Sequence, residues 1–124
     1  MNINESAENY LETILILSKS HPVVRSVDIA EELGFKKSSV SVAMKNLREK
    51  EHITVTKEGF IYLTESGREI ADMIYERHEV LSGWLVSLGV DPQTAVEDAC
   101  RIEHVISKES FEAMKKHISG QDSL

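Results

Sequence analysis

The segment DACRIEHVIS, residues 98 to 107, brings a thiol, a carboxylate and an imidazole close together along the chain. Cys100 is the only cysteine, with Glu103 three residues on and His104 four. In a helix these positions share one face, while Arg101 and Ile102 point elsewhere. Thiolate, imidazole and carboxylate are all metal donors. Their mixture is borderline-soft and suits a first-row divalent ion better than magnesium or calcium. Three donors do not close a site, so other segments must contribute. The candidates are His78, in YERHEVL, and Asn9 and Glu12, three residues apart near the start. Each has a plainer alternative: a lone cysteine is also a small buried hydrophobe, His78 a surface or core histidine, and Glu12 a solvated helix residue.

These side chains need elements to hold them. Residues 4 to 19 carry Ala7, Tyr10, Leu11, Ile14, Leu15 and Leu17 near helical spacing. SHPVVR interrupts the pattern, since Pro22 cannot continue a helix. Ser26 is the expected N-cap of VDIAEEL, and Gly34 its stop. After FKK, the stretch SSVSVAMKNLREKE shows an apolar stripe of Val40, Met44 and Leu47. Two short helices joined by a tight glycine-containing turn make a helix-turn-helix. HITVTKEGFIYLT reads as a hairpin around Lys-Glu-Gly. Thr64 then caps a long helix from about Glu65 to Leu88, ended by Gly89. Asp91 and Pro92 open the next, expected to run through VDPQTAVEDACRIEHVI, and Ser107 caps the last, KESFEAMKKHI. The expected fold is mainly α: a winged helix-turn-helix domain over residues 1–64, then a helical domain over 65–124.

Composition sets the outer bounds. The chain has 124 residues, 41% hydrophobic and 28% charged, enough for one core or a small domain with an appendage. No apolar run approaches the ~18 residues of a membrane span, and MNINESAENYLE lacks a secretory layout. One cysteine cannot form an intramolecular disulfide, so a cytoplasmic protein without a membrane partner is expected. The net charge of −7 argues against indiscriminate nucleic-acid binding. Yet from Lys36 to Lys50 five basic residues (Lys36, Lys37, Lys45, Arg48, Lys50) stand against one acid, Glu49, a local 5 − 1 = +4. A recognition helix needs short polar residues at its N-terminus. Ser38, Ser39 and Ser41 fit that need, one of them being expected to cap the helix. Lys36, Lys37 and Lys45 suit the phosphate backbone, and Lys57 at the hairpin tip a neighbouring minor groove or phosphate.

DACRIEHVIS, RHEVL and AENYLETI together resemble the diphtheria toxin repressor and manganese transport regulator family of bacterial metalloregulators, over about residues 5 to 118. Cys-Arg-x-Glu-His is the most specific element; SVDIAEELG and the serines after it are common to many winged helices. The resemblance implies a homodimer whose second domain serves metal binding and dimerisation, with no small-molecule substrate. It implies iron(II) or manganese(II) as cofactor, iron slightly preferred for the thiolate, and repression of metal uptake at a palindromic double-stranded operator. It places Cys100, Glu103, His104, His78 and Glu12 on ligand positions. Asn9 falls where iron-type members carry methionine and manganese-type members aspartate. Cys100 follows the iron branch and Glu12 the manganese branch. Ser82 and Val96 stand where the iron branch has the glutamate and histidine of an ancillary site. Longer members continue into an SH3-like domain. The implied mechanism is that metal neutralises the acidic ligands, ties the first helix to the dimerisation helices and fixes the separation of two recognition helices. Trp84, Leu85 and Leu88 are candidate members of the twofold interface.

Two competing readings make different demands. A winged helix switched by an organic ligand or a partner protein would bind DNA without metal and tolerate loss of Cys100. A metal-dependent hydrolase would use Glu103 as base, but the chain shows no nucleophile motif or phosphate-binding loop.

Overall fold

The structure, a computed structural model, describes residues 5–122, with side chains from 5 to 120. The first helix, α1 (Glu5–Ser18), buries Tyr10, Leu11, Ile14, Leu15 and Leu17, the positions its spacing marked. Its sequel α2 (Ser26–Leu33) starts one residue earlier than a serine cap would allow. Arg25 is the N-cap, and its backbone N–H donates to the Asp28 carboxylate at 2.9 Å. Ser26 is therefore the first helical residue, not the cap. Gly34 ends α2 with φ of 69°, the left-handed conformation a C-terminal glycine supplies without strain.

Across that turn lies α3 (Lys37–Glu49), which buries Val40, Met44 and Leu47. Its N-cap is Lys36, with no side-chain bond, so none of the three serines caps the helix. Strands β1 (Ile53–Val55) and β2 (Ile61–Leu63) form the antiparallel hairpin, in the register Ile53 to Leu63, Thr54 to Tyr62 and Val55 to Ile61. Inward-facing Ile53 and Ile61 are buried, and Lys57 sits exposed at the tip. The backbone N–H of Ile61 also donates to the Val24 carbonyl at 2.8 Å, so the segment before α2 lies along the hairpin edge.

Thr64 begins α4 (Glu65–Ser87): its hydroxyl accepts from the Gly67 N–H and its carbonyl from the Arg68 N–H. The chain divides into two compact units, residues 1–73 and 74–124, within that helix. In the second unit α4 continues to Ser87, followed by α5 (Pro92–Ile102) and α6 (Lys108–Asp122). Asp91 caps α5 by accepting from the N–H groups of Gln93 and Thr94, with Pro92 in the first turn. Ser107 caps α6 through the Ser110 N–H. Leu81, Ala99 and Phe111 are the centre of this unit's core, with Val80, Ile102, Ile106 and Met114 packed against them. Regular α5 ends at Ile102, short of the expected reach to residue 106. Beyond it the carbonyls of Glu103 and Ile106 accept from the Arg77 guanidinium.

Candidate metal centre and nucleic-acid face

Although α5 ends at Ile102, Glu103 keeps helical angles (φ −60°, ψ −24°), and its N–H still bonds to the Ala99 carbonyl. The i, i+3 relation between Cys100 and Glu103 is thereby preserved, and His104 follows in the turn. Ala99 takes the buried position on α5, and Cys100 beside it is exposed. The alternative of a cysteine serving as core filler is overturned.

Glu103 is the hub of the cluster. It is fully buried, and its Oε1 lies 2.9 Å from His78 Nδ1, presented by α4. Cys100 Sγ lies 3.9 Å from the same nitrogen. One donor atom each from His78, Cys100 and Glu103 falls within 4.8 Å of the others. The second oxygen, Glu103 Oε2, is 3.4 Å from His104 Nε2 but makes no hydrogen bond. An acceptor left without a donor in a buried place costs free energy, about 1–3 kcal/mol and more for a charged group. A cation would offset that cost, and nitrogen, sulfur and oxygen donors fit a first-row divalent ion. The four predicted ligands of the second unit are thus brought together. Asn9 and Glu12 lie on α1 of the first unit, three residues apart, Asn9 half-buried and Glu12 buried. Ser82 donates its hydroxyl to the His78 carbonyl, one turn back on α4.

In the first unit, Lys36, Lys37, Ser38, Ser39, Ser41 and Lys45 are all exposed on or beside the first turns of α3. With no capping duty, the serine side chains leave that N-terminal end open to a phosphate or a base edge. Ser26, Ser41, Met44, Lys45, Arg48 and Val55 line one shallow groove. Arg48 and Ser26 were not singled out as contacts by sequence. Arg48 belonged to the basic run, but its place beside Ser41 and Lys45 follows from helical spacing of three and four residues along α3.

Residues 2–59 match the family profile described as iron dependent repressor, N-terminal DNA binding domain. Residues 64–120 match iron dependent repressor, metal binding and dimerisation domain. The chain is 34% identical over 115 residues to an uncharacterised HTH-type transcriptional regulator of Methanocaldococcus jannaschii, covering 91% of this chain and 92% of that one. It is 32% identical over 111 residues to the transcriptional regulator MntR of Escherichia coli O157:H7, covering 90% and 72%. Among solved structures, the manganese regulator SloR superposes with a TM-score of 0.81 at 26% identity, over 96% of this chain and 55% of that one. A manganese-dependent transcriptional repressor in complex with manganese gives 0.78 at 28%, over 89% and 52%. The chain spans about half the length of these two solved proteins.

Proposed function

We propose, from the premise that this chain belongs to the iron-dependent repressor family, that iron(II) is its physiological ion and a palindromic DNA operator its target. Membership makes it a metal-dependent, DNA-binding transcriptional regulator of metal-ion homeostasis, and the relatives it matches are regulators, not enzymes. The observation that carries the choice of ion is the convergence of His78, Cys100 and Glu103 donor atoms within 4.8 Å. A thiolate in that set favours iron(II) over manganese(II), whose preferred donors are oxygens and which stands lower in the general affinity order.

His78, Cys100, Glu103 and His104 are the residues that would hold the ion, with Asn9 and Glu12 as the further donors. A bound divalent ion supplies the positive charge that a buried Glu103 carboxylate and a Cys100 thiolate lack. The protein's part is to keep these donors in place: α4 holds His78, and the end of α5 holds Glu103 and His104. On the DNA side, Ser38, Ser39 and Ser41 meet base edges and phosphates in the major groove. Lys36, Lys37, Lys45 and Lys57 meet the backbone. In a homodimer, twofold symmetry would repeat these contacts at half-sites whose spacing matches the two recognition helices. Only a difference in ion affinity between the DNA-competent state and its alternative can shift their populations. Among the described residues no helix is long and apolar enough to cross a membrane.

The test is anaerobic selection of a random-sequence duplex pool with iron(II)-loaded protein. Fluorescence anisotropy on the selected duplex then compares iron(II), manganese(II), zinc(II) and chelator. The expected result is tight binding with iron(II), loss on chelation, and weakening in Cys100→Ala and Glu12→Ala. Manganese(II) acting at lower free concentration than iron(II) would reverse the choice of ion. Metal-independent binding would sink the reading.

A further inference from the structure

We infer that Arg77 is a positioning residue for the metal centre, holding from behind the main chain that carries Glu103 and His104. The inference rests on the metal-centre reading above. Arg77 precedes His78 on α4 and is 6% exposed. Its Nη1 donates to the Glu103 carbonyl at 3.0 Å and to the Ile106 carbonyl at 2.8 Å. The guanidinium carbon stands 5.5 Å from the centre of the Phe111 ring. Among the described residues both its hydrogen bonds go to main-chain oxygens, and its buried Nε has no hydrogen-bond partner.

A guanidinium is costly to bury, and a carboxylate is its usual compensation. Here the compensation is two main-chain carbonyls: that of Glu103, the C-cap of α5 at the negative end of the helix dipole, and that of Ile106, in the turn beyond it. The face of Phe111 adds to it. The consequence is specific. The cation orders the turn over residues 103–106 while leaving the Glu103 carboxylate unclaimed, one oxygen beside His78 and the other without a hydrogen bond. A guanidinium paired with that carboxylate would occupy a ligand; paired with the backbone it presents one. Because Arg77 and His78 are consecutive, one turn of α4 supplies a ligand and fixes the main chain behind two others.

The experiment compares wild type, Arg77→Met and Arg77→Lys by anaerobic cobalt(II) titration, reading the visible d–d and thiolate-to-cobalt bands. Amide hydrogen exchange is measured on the same proteins without metal. In Arg77→Met, exchange should quicken at Glu103, Val105 and Ile106 while the rest of the second unit keeps its protection. Cobalt affinity should fall about 10-fold or more, as when outer partners of metal ligands are removed, and the bands should shift. Arg77→Lys, which keeps a cationic donor, should recover part of both. Where Arg77→Met does not fold, Arg77→Gln takes its place. A folded Met or Gln variant with wild-type affinity and wild-type bands would overturn the inference alone. Wild-type protein without cobalt bands would overturn the metal-centre reading and the inference with it.

Discussion

At Cys100 the thiol is exposed while its neighbour Ala99 is fully buried, so changing the sulfur changes donor chemistry without opening the core. Cys100→Glu replaces a soft donor by a hard one. The ratio of iron(II) to manganese(II) affinity should fall, with little change in the thermal stability of the metal-free protein. Competition titration against a chelator of known affinity checks the first; a calorimetric melt checks the second. Tyr10 makes a different demand. Burial pushes its phenol above the usual value of 10.0, so the folded state resists its ionisation. The proton count fixes the sign: above pH 10 the unfolded chain releases this proton first. The stability Tyr10 contributes is complete below that pH and is lost as pH rises through its folded pKa. Tyr10→Phe should flatten the alkaline limb of a denaturation profile, and an unchanged limb would refute the assignment. Residue types were readable from DACRIEHVIS because donor chemistry is intrinsic to a side chain. The role of Arg77 was not, because it acts on carbonyls 26 and 29 residues further along the chain.

Elements whose signals are local came through intact. Thr64, Asp91 and Ser107 cap their helices through N–H groups two or three residues on, and a sequence shows that spacing directly. Ser26 misled because a serine one position inside a helix is indistinguishable by type from one at its cap. There the Asp28 carboxylate accepts the N-cap N–H from three residues on. The pairing of Val24 with Ile61 and the early end of α5 depend on distant partners, which periodicity does not encode. Gly67 shows the same limit. By helix propensity a glycine in the first turn of α4 is the weaker choice, yet a Cβ there would stand 1.9 Å from the His52 carbonyl oxygen. The neighbourhood is tied further by Thr64 and Ser66 hydroxyls donating to the Glu51 carbonyl, so neither side yields cheaply. Gly67→Ala should destabilise the protein by about 1–3 kcal/mol, the range for overpacking, although alanine is the better helix former. Urea denaturation measures it, and a neutral or stabilising result would mean the α4 start is not seated on that turn.

Across the whole molecule, a net charge of −7 surrounds a +4 segment on and beside α3. Such a chain is repelled by DNA except where that segment faces it, so charge supplies orientation as well as attraction. Each phosphate neutralised by a lysine releases condensed counterions and steepens the salt dependence of binding by about 0.9 in log–log slope. A twofold-symmetric protein on a palindrome uses every contact twice. Lys37→Ala should therefore reduce the slope by about 1.8 when a dimer is bound and by about 0.9 for a single protomer. The dimer value is the one expected from a chain whose residues 64–120 match a metal binding and dimerisation domain. Lys108→Ala, at the start of α6 and outside the basic run, should leave the slope unchanged. Anisotropy titrations of the metal-loaded protein at four or more salt concentrations would read all three slopes on the same duplex. An unchanged slope for Lys37→Ala would remove that lysine from the interface. A slope change equal in Lys37→Ala and Lys108→Ala would mean that net charge, not a built recognition face, governs binding.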